Sequence, residues 1–247
     1  RNTMTEPMIY LDNAATSFPK APGIGEAMSQ FVAEQAANPG RAGHRLSVAV
    51  EGIVDDLRLR LTRLVGGEDH SRLVFAMNCT DALNMAIKGV LGAANGKTSK
   101  PHVITTVLEH NSVSRPLQGL ASTGQIELTR LAADAAGFVD PKAFERAIQS
   151  NTVLFALTHA SNVIGTVQDI AAVGEIARKH DLLFLVDAAQ TMGAVPIDVA
   201  AMNIDLLAFP GHKSLLGPTG TGGLYVGTRV PEPVEAGKIS EDAEADH

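Results

Sequence analysis

The chain has 247 residues, 45% of them hydrophobic and 19% charged, which is the composition of an ordinary globular protein and enough for one large α/β domain. A net charge of -7, with no cluster of lysine and arginine, argues against nucleic acid as the main partner and points to small substrates. One cysteine, Cys79, leaves no internal disulfide and makes a reducing cytoplasm the expected location, and no apolar run is long enough to span a membrane.

The first residues show no charged-then-apolar signal pattern, and Met4 or Met8 is the expected start of translation. Residues 23–65 read as two helices, broken by Asn38-Pro39-Gly40-Arg41-Ala42-Gly43. From there short apolar runs alternate with helical stretches. The expected strands are 72–76, 102–106, 125–129, 153–157, 182–186, 206–209 and 223–226. The expected helices are 80–91, 112–122, 141–149 (with Asp140 as N-cap) and 170–180. This alternation predicts a mostly parallel sheet with helices on both faces. In such sheets a ligand sits outside the carboxyl ends of the strands, where Cys79, Thr80, His110, Asn162, Asp187 and Lys213 all fall. Residues 231–247 carry six acidic side chains against one lysine and read as a disordered acidic tail. The expected division is therefore an N-terminal segment, 1–22, a large domain, 23–230, and the tail, 231–247.

Two residues suggest the chemistry. Lys213 lies in Gly211-His212-Lys213, ahead of a run containing Gly217, Gly220, Gly222 and Gly223. Such a lysine is ordinarily a solvated loop residue, but the glycines let backbone approach a ligand closely. Asp187 ends the apolar run from Leu182 to Val186, so its carboxylate is expected to be buried and to need a partner. A lysine amine able to form a Schiff base, with a carboxylate able to hold a pyridinium nitrogen protonated, is the pair that pyridoxal 5'-phosphate (PLP) requires. Gln190 is then within reach of the ring's phenolic oxygen. His110 reads either as a ring-stacking imidazole or as a loop histidine. The start of the helix at Asn78-Cys79-Thr80 reads either as a phosphate site or as a plain cap by Asn78 or Thr80. Asn162 reads either as a ligand to ring or substrate or as a turn-former.

Six motifs give the chain a family resemblance: Tyr10-Leu-Asp-Asn-Ala-Ala-Thr16, residues 38–44 ending in His44, Glu109-His110-Asn111-Ser112, His159-Ala-Ser-Asn162, Val186-Asp187-Ala-Ala-Gln190 and Gly211-His212-Lys213. Together they resemble the class V aminotransferase group of fold-type I PLP enzymes, near the cysteine desulfurase and selenocysteine lyase branch. The resemblance implies that Lys213 forms the internal aldimine and moves protons. It also implies that Asp187 pairs with the pyridine nitrogen, Gln190 meets the phenolate and His110 stacks on the ring. Thr80, the Cys79 backbone and His212 would hold phosphate, Asn162 would lie near ring and substrate, and Asn13, Ala14 and Ala15 would line the substrate end. No metal is implied. An amino-acid substrate, a sulfur-acceptor protein and a homodimer follow from the same resemblance. Pro210 stands where many members carry a serine, so one phosphate hydroxyl is missing. The family's sulfur-accepting cysteine, with a substrate-binding arginine, belongs to a small C-terminal domain that the sequence lacks, and Cys79 does not match that cysteine. The expectation is thus the large domain of a desulfurase-like transferase or lyase, with an aminotransferase or an inactive binding fragment as alternatives.

Overall fold

The computed structural model describes residues 9–40, 43–94, 98 and 100–230; the expected start sites, Arg41 and Ala42 of the helix break and the acidic tail lie outside them. Two helices, α1 (Ile24–Glu34) and α2 (Arg45–Leu64), precede the sheet. His44 caps α2, its Nδ1 accepting from the Ser47 N–H, and the Ser47 hydroxyl donates to the Asn38 carbonyl. The order then runs β1 (Leu73–Ala76), α3 (Cys79–Ala94), β2 (His102–Thr106), α4 (Asn111–Ser122), β3 (Glu127–Leu131) and α5 (Pro141–Arg146). It continues with β4 (Thr152–Thr158), α6 (Ile170–Lys179), β5 (Leu183–Asp187), β6 (Leu206–Pro210) and β7 (Gly222–Val226). Among the described residues no helix is long and apolar enough to cross a membrane.

The sheet has seven strands in the order β1-β7-β6-β5-β4-β2-β3. All neighbours are parallel except β7, which is antiparallel to both β1 and β6. The central strands are buried on both faces, and their pleat sorts side chains into two cores. Phe155, Leu157, Phe184, Val186, Leu207 and Phe209 pack with α5 and α6 through Phe144, Val173 and Ala177. Leu154, Ala156, Leu185, Leu206 and Ala208 pack with α3 and α4 through Leu83, Ile87, Val113 and Leu117. Thr158, Asp187 and Pro210 continue the second set, so they face the α3 side at the strands' carboxyl ends.

Three elements depart from the sequence reading. Helix α3 runs to Ala94, three residues past its expected end. The third strand lies two residues later than expected. Gly124, at φ 73°, ends α4 in a left-handed turn, and the Gln125 N–H still belongs to it, bonded to the Leu120 carbonyl at 3.0 Å. Pairing with β2 then runs from His102–Glu127 to Thr106–Leu131. Helix α5 stops at Arg146, and the Gln149 N–H turns to the Thr152 hydroxyl at 2.8 Å.

Gly222 places α3 against the sheet. A Cβ there would lie 2.7 Å from the Asn78 carbonyl carbon and 2.9 Å from the Phe209 oxygen, too near for either backbone to yield cheaply. Gly222→Ala is therefore expected to cost about 1–3 kcal/mol of stability by overpacking, read from urea denaturation. An unchanged midpoint would show that α3 is free to shift.

Candidate active site

The carboxyl ends of β4, β5 and β6 open into a cleft of about 280 Å³, lined by Ala14, Ala15, Cys79, Thr80, His110, Asn162, Asp187, Gln190, His212 and Lys213 among others. Residues that lie far apart in sequence therefore meet in one hollow. Asn13 is not among its lining residues. Its Oδ1 accepts from the Phe18 N–H at 3.2 Å and closes the N-terminal turn.

Asp187 is 3% exposed. Its Oδ1 accepts from the Ala189 N–H at 2.9 Å and from the Cys79 thiol at 3.5 Å, while Oδ2 accepts no bond among the described residues. Burial pushes its pKa up, and those two hydrogen bonds with the nearby His110 and Lys213 pull it back. Lys213 is half-buried, and burial lowers its pKa against the pull of Asp187 and Cys79. Its amine donates no hydrogen bond among the described residues.

At the start of α3, Asn78 is the cap, its Oδ1 accepting from the Asp81 N–H at 2.9 Å, and Asp81 Oδ2 accepts in return from the Met77 N–H at 3.3 Å. The Thr80 hydroxyl is exposed toward the cleft and makes no bond among the described residues. His110 caps α4, its Nδ1 accepting from the Ser112 N–H at 3.2 Å, and its ring lines the cleft. Gln190 Nε2 donates to the Ala14 carbonyl at 3.0 Å, leaving its Oε1 and second N–H for a ligand. Burial, then the charges of Lys213 and Lys20, lowers the His212 pKa. His159 of the His159–Asn162 motif is a core residue. Its Nδ1 pairs with the Thr191 hydroxyl at 2.9 Å, and burial lowers its pKa to about 4.

Two features escape a reading of the sequence alone. The Cys79 side chain, not only its backbone, belongs to the site, with its thiol on Asp187. Burial and then the Asp187 charge push that thiol well above its ordinary value, so it stays protonated and unreactive. The second is Glu109. Its Oε1 accepts from the Thr106 hydroxyl at 2.7 Å and the Thr158 N–H at 3.1 Å, tying the His110 loop to β4, while Oε2 is buried without a partner among the described residues. Thr158 pairs with Asp187 across β4 and β5. Burial raises the Glu109 pKa to about 8, its two hydrogen bonds oppose the rise, and the Asp187 charge adds to it. The motif Glu109-His110 was visible, but only the fold shows the glutamate turned inward.

A lysine loop facing a buried carboxylate, beside a helix N-terminus at the carboxyl end of a parallel sheet, is the arrangement that suits a pyridine aldehyde phosphate. The chain belongs to the class-V aminotransferase family, whose model matches residues 9–243. Cysteine desulfurase IscS of Salmonella arizonae is 39% identical over 231 residues, covering 92% of this chain and 55% of that protein. The same enzyme of Escherichia coli O139:H28 matches to the same extent. The chain thus spans about half the length of the curated relatives it matches. A solved structure described as SspA in complex with cysteine has a TM-score of 0.83 and 36% identity, covering 89% of this chain and 61% of that one. The apo cysteine desulfurase of Thermococcus onnurineus NA1 has a TM-score of 0.81 and 32% identity, covering 89% and 54%.

Pyridoxal 5'-phosphate is the cofactor of that family. The residues present fit it: a free Oδ2 on Asp187, an unbonded Lys213 amine, and the Thr80 hydroxyl with the first N–H groups of α3 for an anion.

Two outcomes check this electrostatic arrangement. Folding raises the Glu109 pKa from about 4.5 to about 8, so between these values the folded chain holds a proton that the unfolded chain has released. Its contribution to stability is complete below about pH 4.5 and declines as pH rises through about 8. Glu109→Gln should flatten that decline in urea titrations between about pH 5 and about pH 9. Parallel pH profiles for the two chains would count against a buried acid. Separately, a chromogenic thiol reagent should find no reactive Cys79 in the folded chain and one equivalent after unfolding. Fast reaction in the folded state would mean that the thiol is not sealed against Asp187.

Proposed function

We propose that this chain is the cofactor-binding part of a PLP-dependent enzyme of the cysteine desulfurase type, acting on a small amino acid. The observation that carries the reading is the convergence of Lys213, Asp187 and the start of α3 on one cleft. When bound, PLP supplies an aldehyde that bonds to an amine and a ring that takes up the electron pair released at the substrate's α-carbon.

The chain's own residues divide the remaining work. Burial depresses the Lys213 pKa, which keeps more of the amine in the neutral form that attacks a carbonyl and accepts a proton. Asp187 Oδ2 would take the ring N–H, and that positive partner would offset the burial that pushes the carboxyl upward. His110 would lie against the ring face, Gln190 would address the phenolic oxygen, and Thr80, His212 and the N–H of Cys79 would hold phosphate. Asn162, with Ala14 and Ala15, borders the substrate end. There a wider hollow lined by Val163, Ile164 and Val167 adjoins the cleft and gives the amino acid a path in.

Cysteine is the proposed substrate, because the relatives are named cysteine desulfurases and the SspA structure holds cysteine. In that reaction a thiolate takes the sulfur atom and the amino acid leaves as alanine. Cys79 is unfit for the task, being buried with its thiol held protonated on Asp187. The thiolate therefore comes from outside these 247 residues, and a sulfur-acceptor protein, a homodimer and a cytoplasmic setting belong to the same reading.

Adding PLP to the purified chain is expected to give a visible absorption band that survives desalting and is absent in Lys213→Ala. With cysteine and an added dithiol, alanine and sulfide should form in equal amounts. A keto acid in place of alanine would make the enzyme an aminotransferase, and no band in either chain would overturn the cofactor reading.

A further inference from the structure

The peptide oxygen directly before Lys213 is unusually well occupied. The His212 carbonyl accepts from the Ser17 N–H at 3.1 Å, the Ser17 hydroxyl at 3.0 Å, the Thr16 hydroxyl at 3.0 Å and the Lys20 ammonium at 2.7 Å. A carbonyl has two lone pairs, so four donors converging on one oxygen exceed what satisfying it requires. The shortest contact is the charged one, and a charged donor makes the strongest bond of such a set. Lys20 also donates to the Thr16 and Ser17 hydroxyls, each at 3.0 Å, which uses all three ammonium protons.

This oxygen belongs to the amide that joins His212 to Lys213. A peptide unit is planar, so holding its oxygen holds the Lys213 nitrogen and Cα with it. Beyond the lysine, the loop closes on itself through Leu216 N–H to the Lys213 carbonyl and Gly217 N–H to the Gly211 carbonyl, both at 2.8 Å. The Gly211 N–H is tied to the Thr221 carbonyl at 2.8 Å. The same N-terminal segment places Ala14 and Ala15 in the cleft and receives Gln190 on the Ala14 carbonyl. A half-buried lysine that tied only its own turn would touch neighbours a few residues away. Lys20 instead reaches across 192 residues to the His212 carbonyl, the oxygen of the peptide that leads into Lys213.

We propose that Lys20 is the positioning residue of Lys213. Its ammonium locks the His212–Lys213 peptide and docks the N-terminal segment over the cleft, so that the Lys213 amine is aimed before any cofactor arrives. The proposal rests on the reading of Lys213 as the cofactor-bonding lysine and adds to it a cation that never touches the cofactor.

The test compares the chain with Lys20→Met and Lys20→Arg. Without PLP, amide hydrogen exchange at Gly211, Leu216 and Gly217 should quicken about tenfold in Lys20→Met. Lys20→Arg, which keeps charge and donors, should stay within about threefold of the parent. On adding PLP, the visible band should form about tenfold more slowly in Lys20→Met, with the arginine variant restoring it. Unchanged exchange in Lys20→Met overturns the proposal whatever the cofactor does. Faster exchange with an unchanged rate of band formation overturns it too, because the clamp would then be structural only. If the parent chain forms no band, the cofactor reading fails, and the exchange rates alone decide whether Lys20 anchors the loop.

Discussion

Burial of the Asp187 carboxylate at the end of β5 is the constraint around which this site is arranged. A charged oxygen pair taken out of water must be repaid by bonds and by nearby positive charge. The chain meets half of this demand itself, with the Ala189 N–H and the Cys79 thiol on Oδ1 and the fields of Lys213 and His110 beyond them. It leaves Oδ2 open. The parallel sheet makes the arrangement possible: β4, β5 and β6 end side by side, their pleat points Thr158, Asp187 and Pro210 to one face, and α3 begins directly above them. The loop after Pro210 then needs only three residues to bring Lys213 opposite the acid.

Three acidic groups lie close together here, yet each is pushed by its surroundings toward holding its proton. For Cys79 and Glu109 nothing cationic compensates adequately, and both remain neutral hydrogen-bonding groups. Lys213 acts on both Cys79 and Asp187, but Asp187 has His110 as well and an oxygen that accepts no bond among the described residues.

Much of this was legible in the sequence, for local reasons. The apolar run before Asp187 declares a strand buried on both faces, and the glycines around Lys213 declare a loop shaped for close approach. Strand and helix positions follow from periodicity, except at the ends of α3 and α5 and where a helix-ending turn at Gly124 consumed residues that looked like the start of β3. The side-chain role of Cys79 was hidden, since its partner lies 108 residues away and a cysteine at a helix start suggests only backbone chemistry. Glu109 stood in a recognised motif, but nothing local distinguishes an inward glutamate from a solvated one. Lys20 gave no signal at all, because its meaning lies in a carbonyl, and carbonyls are the same at every residue.

The link from Lys20 to His212 also sets a schedule. Among the described residues strand β1 near the amino end pairs with β7 near the carboxyl end, and the N-terminal segment closes on Gln190 and on the lysine loop. During synthesis at about 5–20 residues per second, the first segment waits roughly 10–40 seconds for its partner to leave the ribosome. Of the sheet, only β2, β3 and β4 have every neighbour well before that, since β5 needs β6 and β6 needs β7. The nascent chain thus holds β2–β5 beside an unlatched cleft until β6, the lysine loop and β7 arrive together.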